Sequence, residues 1–273
     1  MTGAPHSLRA LLIRSLATPG HVLDEVRHAY RLAADRRSFL RLAADVCLYR
    51  VLRVMPRLRA ERKRRIRLKA GVTLTYRLNR GDIQSIREVW MEEAYRLPFD
   101  RSPASIIDLG ANIGLTSLWL AVRYRPTRCL AVEPSASNAA LARENLAQLD
   151  IPLIEAAVGP SDRVAYFAAS TESNLGRVAE SGAEVQVLSM ETLLGRLGQE
   201  TVDLVKVDVE GAEQELFTEK TGWLAQVQAM IVEFHPDVVD YSGLVRGVEE
   251  AGFRYVQAGS AFPDSMDAFV AAR

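Results

Sequence analysis

The residues best suited to chemistry in this chain are acids, and they recur at the ends of apolar runs. Asp108 closes Ser105-Ile-Ile-Asp, Glu133 closes Leu130-Ala-Val-Glu, and Asp208 and Glu210 close Leu204-Val-Lys-Val-Asp-Val-Glu. Glu233 and His235 close Ile231-Val-Glu-Phe-His. Ligands of open α/β sheets gather at the carboxyl ends of the strands, so Asp108, Glu133, Ala157, Asp208 and His235 are expected to converge on one rim. Asp208 and Glu210 are two apart, as are Glu233 and His235, and Lys206 precedes Asp208 by the same step; an extended chain points each pair to one face. His235 is the only histidine outside the first 28 residues, and an imidazole titrates where proton transfer at neutral pH needs it. His235 or Asp208 is the candidate base, with Glu210 orienting its partner. Lys206 either pairs with a nearby acid or faces a substrate, and Glu213 reads as a first-turn acid at the positive end of a helix. Asp208, Glu210, Glu233 and His235 are also hard donors that suit Mg²⁺, although the site is read here without a metal.

A second constellation is the turn Asp108-Leu-Gly110-Ala-Asn112-Ile-Gly114, which leads from an apolar run into an amphipathic one. Glycine at 110 and 114 permits a turn with no Cβ in the way, so that the N–H groups of Leu115 to Ser117 face a ligand. Glu133 follows about twenty residues later, the distance at which a carboxylate accepts the hydroxyls of a ribose. A dinucleotide fits poorly, because the G-x-G-x-x-G spacing is absent and Asp108 would repel a pyrophosphate. Asp108 would instead pair with the amino group of a methionine moiety, with Asn112 orienting its carboxylate, which favours S-adenosylmethionine.

These residues need a framework, and the pattern supplies one. Strands are expected over residues 105–109, 129–133, 153–158, 202–208 and 229–234, with helices over 115–124 and 136–148 between them; such alternation predicts a parallel sheet covered on both faces. Short strands are expected over 164–167 and 185–188, flanking a polar stretch, 170–182, long enough to act as a substrate lid. A helix near 244–251 precedes an antiparallel pair, 253–257 with 268–271. Upstream, 66–68 and 72–76 form a hairpin about the turn 69–71. Asp82 caps a helix running to about Tyr95, which brings Tyr76, Arg80, Asp82 and Tyr95 into consideration as pocket residues. Residues 7–17, 21–34 and 38–55 read as helices, the last with Phe39, Leu42, Val46, Tyr49 and Leu52 along one face.

Composition bounds the rest. A chain of 273 residues with 48% hydrophobic content can bury a large core. No apolar run approaches the roughly eighteen residues of a membrane span, and no secretory leader is evident, so a cytoplasmic location is expected. Cys47 and Cys129 lack metal-like spacing and read as buried free thiols. The net charge of zero conceals an asymmetry: residues 1–69 hold 17 basic and 5 acidic side chains, net +12, and the remainder hold 17 and 29, net −12. Residues 1–65 are therefore treated as a basic helical extension and 66–273 as the catalytic domain. The extension packs on the catalytic domain or on a second copy of the chain, or meets anionic lipid at the inner face of the membrane. Nucleic acid is not expected, since the basic run 57–69 has no interleaved aromatic residues.

Ile107-Asp-Leu-Gly-Ala-Asn-Ile-Gly114, Val132-Glu-Pro134 and, most narrowly, Leu204-Val-Lys-Val-Asp-Val-Glu-Gly-Ala-Glu213 followed by Ile231-Val-Glu-Phe-His235 make the chain resemble FkbM-type S-adenosylmethionine-dependent methyltransferases over roughly residues 70–271. The resemblance implies a Rossmann-like class I methyltransferase fold and a backbone contact from Ala157 to adenine. It also implies an oxygen acceptor on a natural product or on a sugar of a glycan or glycolipid. An NAD-dependent oxidoreductase and a non-catalytic module that retains a cofactor pocket are the alternatives.

Overall fold

The computed structural model describes residues 19–54, 60–168, 177–179, 182–257 and 266–272. The helix expected over 7–17 and most of the stretch 170–182 lie outside them. The chain divides into two compact units, Met1–Met91 and Glu92–Arg273. Charge and periodicity change near residue 65, whereas compactness draws its line after Met91.

In the first unit, α1 (Pro19–Leu32) and α2 (Arg36–Val54) are followed by the antiparallel hairpin of β1 (Ala60–Arg67) and β2 (Thr73–Leu78), then α3 (Arg80–Ile86) and a π-helical turn, Arg87–Met91. Leu42, Val46 and Tyr49 are buried, as their spacing predicts. Asp45 shares their face because Tyr76 donates to it at 2.6 Å and Arg64 lies 3.5 Å away. The cap of α3 is Asn79, whose side chain accepts from the Asp82 amide at 2.8 Å. Asp82 itself is buried against Arg77, 2.9 Å away. The expected cap at Asp82 is thus displaced by three residues, and Tyr76 and Asp82 are core members of this unit rather than pocket residues.

The second unit is built on a seven-stranded sheet of β3 (Ser105–Leu109), β4 (Arg128–Val132), β5 (Leu153–Ile154), β10 (Leu204–Val207), β11 (Ala229–Glu233), β12 (Phe253–Gln257) and β13 (Met266–Ala271), in the order β12-β13-β11-β10-β3-β4-β5. Only β13 runs against its neighbours, which is the terminal antiparallel pair expected from the sequence. The chain moves from β3 outward to β5, then returns to β10 beside β3. Right-handed crossovers place α4 (Leu115–Tyr124) and α5 (Ala136–Leu146) on one face. They place α7 (Glu213–Thr218) and α8 (Tyr241–Glu250) on the other. This is the Rossmann-like, doubly wound class, and its topological switch point lies between β3 and β10. Every residue of these two strands is buried, as strands covered on both faces must be.

One expected strand is divided. Residues 153–158 give β5 in the main sheet and β6 (Ala157–Val158) in a separate four-stranded sheet, β6-β9-β7-β8, made with β7 (Arg163–Ala168), β8 (Arg177–Ala179) and β9 (Ala183–Leu188). The helix α6 (Met190–Leu197) then leads back to β10. Cys129 is buried and free, and Cys47 is free but only partly covered.

The two glycines of the turn after β3 are required by packing within the protein. A Cβ on Gly110 would lie 1.7 Å from the carbonyl oxygen of Asp208, and on Gly114 it would lie 3.2 Å from Cα of Ala142. Both have positive φ. Gly252 also has positive φ, but a Cβ there meets nothing within 4 Å. Gly252→Ala should therefore cost only the conformational penalty, about 1 kcal/mol. Gly110→Ala should cost at least ~2 kcal/mol more, since strand β10 must shift. Urea unfolding of the two variants measures the difference, and equal costs would contradict the close approach.

Candidate active site

At the switch point the parallel register sets Lys206 directly beside Asp108. Both are buried, at 1% and 0% exposure. The Lys206 ammonium lies 3.1 Å from Asp108 Oδ1 and 3.5 Å from Asp208 Oδ2, and donates to the carbonyls of Gly110 at 2.8 Å and Leu109 at 3.2 Å. Burial pushes its pKa down, but Asp108 and Asp208 outweigh that and hold it above the ordinary lysine value. Ser117 donates to the other oxygen of Asp108 at 2.5 Å. Asp108 is therefore committed to the interior. In this structure the residue expected to pair with a methionine amino group is the counter-ion of Lys206. Lys206 is likewise enclosed, so of its two readings the pairing with an acid is the one realised.

The turn after β3 is stitched to β4 by the amides of Gly110 and Ala111, which both donate to the Val132 carbonyl. Asn112 adopts a left-handed φ of 51°, and its amide donates to Glu133 Oε2 at 2.8 Å. The Ser135 amide donates to Oε1 at 2.9 Å, and Asn138 supplies a further hydrogen bond. A carboxylate has about four acceptor sites, so Glu133 retains capacity for a hydroxyl. Burial raises its pKa to about 7 against the pull of those donors. Gly114 starts α4 without a side-chain cap, which leaves the first amides of that helix to serve an anion. The carboxylate at Glu133 and the uncapped amides suit the ribose and carboxylate of S-adenosylmethionine. Ala157, expected beside adenine, is in β6, paired with Val187 in the smaller sheet.

Beyond β10 the acids meet by a route the sequence does not suggest. The strand ends at Val207, and Glu210 and Gly211 form a turn with φ of 52° and 96°. That turn, not strand alternation, brings Glu210 back beside Asp208. His235 lies past the end of β11, with Nδ1 2.7 Å from Glu213 Oε1 and Nε2 3.4 Å from Glu210 Oε2 and 3.9 Å from Asp208 Oδ1. Glu213 is wholly buried, so it is the partner of His235 rather than a helix-dipole acid alone. Tyr95 completes the group, its hydroxyl 3.3 Å from Glu233 and 3.4 Å from Asp208. Asp208, Glu210 and His235 each bring a ligand atom within 4.8 Å of the others, a spacing compatible with a divalent cation.

The electrostatics divide this cluster into roles. Burial lowers the pKa of His235, but the hydrogen bond that its Nδ1–H donates to Glu213 and the charges of Asp208, Glu213 and Glu210 raise it to about 9. These partners favour the charged imidazole, which has no lone pair with which to accept a proton. Burial and the charge of Asp208 raise Glu210 to about 7. Glu210, assigned from the sequence to orient a partner, is the group that titrates near neutrality. Glu213 and Tyr95 are absent from the sequence-derived catalytic set. Glu213 ends the motif over 204–213 but reads there as a helix-dipole acid, and Tyr95 reads only as a candidate pocket residue, so the sequence pattern gives neither a place beside His235.

The model of the methyltransferase FkbM domain matches residues 108–255, more than half of the chain. AMB antimetabolite synthetase AmbE of Pseudomonas aeruginosa is 27% identical over 196 residues, covering 55% of this chain. The chain spans only 9% of the length of that relative. Among solved structures, the N-methyltransferase NodS from Bradyrhizobium japonicum WM9 is similar at 11% identity, covering 63% of this chain and 88% of its own, with a TM-score of 0.40. A putative O-methyltransferase from Klebsiella pneumoniae is similar at 15% identity, covering 96% and 94%, with a TM-score of 0.37.

Two outcomes follow from the geometry. Lys206→Met strands Asp108 without its cation and should cost about 3–5 kcal/mol. Adding Asp108→Asn should restore part of that loss, a coupling read from a double-mutant cycle of unfolding free energies; strict additivity would contradict the pairing. Glu133 gives the second. Because its pKa is raised, its ionisation costs the folded state stability as pH climbs from the usual carboxylate range to about 7, and a bound ribose offsets that cost. Calorimetric affinity for S-adenosylmethionine should rise up to about tenfold per pH unit below pH 7 and level off above it. Glu133→Gln should flatten the dependence, and a flat profile in the native chain would remove the ribose role.

Proposed function

The chain belongs to the FkbM-domain methyltransferase family, and from that premise we propose that it transfers a methyl group from S-adenosylmethionine to a hydroxyl of a natural product or of a sugar in a glycan or glycolipid. S-adenosylmethionine is the donor the family implies; when bound it supplies an activated carbon and a neutral thioether leaving group. The protein must then align the acceptor, exclude water and receive the acceptor proton.

The observation that carries the oxygen acceptor is the Asp208, Glu210, His235 and Glu213 cluster on the strand rim that also bears Glu133. An amine acceptor that arrives neutral needs no base, whereas an aliphatic hydroxyl benefits from losing its proton as the new bond forms. Glu210 receives that proton. His235, held charged by Glu213, limits the rise of the Glu210 pKa to about 7. Asp208 links the pair to Lys206 and so to the floor of the sheet. The similarity to an antimetabolite synthetase over part of its length supports a natural-product acceptor without choosing one.

Calorimetric titration with S-adenosylmethionine, and with NAD in parallel, tests the donor. Binding of NAD alone would overturn the reading. With a panel of hydroxyl and amine acceptors, methyl transfer to hydroxyls is expected, and transfer to amines alone would refute the oxygen assignment. On a hydroxyl acceptor, kcat/KM should rise through about pH 7 as Glu210 ionises and decline near pH 9 as His235 loses its charge. Glu210→Gln should lower it by about 10²–10⁴-fold and abolish the rise near pH 7. A rise centred near pH 9 would instead make His235 the base.

A further inference from the structure

The outward faces of α1 and α2, taken within the first unit alone, combine apolar and cationic side chains. On α1, Leu23, Arg27, Tyr30 and Arg31 follow one another at helical spacing and all are exposed. Leu23 is 58% exposed and Tyr30 66%. On α2, Arg36, Arg37 and Leu40 are exposed in the same way, Leu40 at 54%. The two stripes are joined where Tyr30 meets Phe39 edge-on, ring centres 5.6 Å apart. Lys69, from the turn of the hairpin, stands 5.0 Å over the Tyr30 ring.

The apolar tips are not the outer side of a helix that lacks an inner one, since Ala29, Ala33, Leu42 and Val46 already form the core face. The acids of the two helices and the link between them cancel only part of the positive charge and leave Arg31, Arg36 and Arg37 outside their ion pairs. Asp24 is paired with Arg27 and Asp35 with Arg67, Glu25 is held by Arg87, and Asp45 is buried. The hairpin adds exposed Arg62, Lys63 and Arg65.

We infer that this face docks on an anionic lipid surface. Its chemistry matches the boundary between headgroups and acyl chains. The arginines and Lys69 meet lipid phosphates, Tyr30 sits at headgroup level, and Leu23 and Leu40 enter the apolar layer. A nucleic acid would need a series of open aromatic faces, and Tyr30 is the one exposed aromatic side chain among the described residues of this unit. No described helix is long and apolar enough to cross a membrane.

Flotation of the full chain with vesicles tests the inference. Binding is expected to phosphatidylcholine vesicles that contain about a third phosphatidylglycerol, and to weaken strongly with salt. Pure phosphatidylcholine should bind weakly. Reversing Arg31, Arg36 and Arg37 to Glu should lower partitioning by about 100-fold or more. Changing Leu23, Tyr30 and Leu40 to Ser should also lower it, while retaining the salt dependence. Both variants should bind S-adenosylmethionine as the native chain does, which shows that they are folded; Arg→Lys at the three positions should keep lipid binding. Equal flotation on neutral vesicles, or indifference to both variants, would overturn the inference. So would a dimer that the Ser variant dissociates, or preference for a single-stranded oligonucleotide over vesicles.

Discussion

The arrangement of the second unit depends on one buried charge pair, Lys206 with Asp108. Two ions removed from water cost several kcal/mol each, so the pair persists only because its surroundings complete it. The parallel register of β3 and β10 sets the two side by side. Ser117 takes the second carboxylate oxygen, and two turn carbonyls and Asp208 take the rest of the ammonium. The same lysine thereby fixes the end of β10, the turn after β3 and the first turn of α4. A stable hydrophobic pair would fill the same volume, but it would give the turn carbonyls no donor.

Tightness at that junction determines what the rim can present. Gly110 lets the turn after β3 touch the Asp208 carbonyl, and the Asp208 amide bonds back to Leu109. With β10 ending so closely against its neighbour, the chain must reverse at once, which it does through Glu210 and Gly211 in left-handed conformations. A left-handed glutamate is strained, and here the conformation turns its carboxylate toward His235. Glu213, in the first turn of α7, closes the far side of the imidazole. The cluster about His235 is therefore a consequence of how two strands end.

Much of this could be read from residue order, for a physical reason. β3, β4, β10 and β11 are buried runs, and the turns that follow them carry glycine or acids, so strand positions and the acidic rim were legible in composition and period. Roles within the rim were not. Whether Asp108 faces a ligand or the core depends on Lys206, nearly a hundred residues away, and on a register that no local pattern encodes. The reading of Asp208 and Glu210 as strand neighbours assumed extended backbone where the chain turns. The division of 153–158 between two sheets and the cap at Asn79 are likewise decided by tertiary neighbours.

The charge balance of the rim bears on catalysis itself. A sulfonium donor loses its positive charge as the methyl group moves, so carboxylates beside it stabilise the bound donor more than the transition state, and such stabilisation slows the chemical step. A rim bearing Asp108, Asp208, Glu210 and Glu213 without compensation would be a trap for that cation. Lys206 is held charged by Asp108 and Asp208, and His235 by Glu213, Asp208 and Glu210. These two cations spend the carboxylates on partners within the protein. In the proposed transfer, Glu210, with its pKa raised to about 7, would take up the acceptor proton and lose its negative charge as the donor loses its positive one.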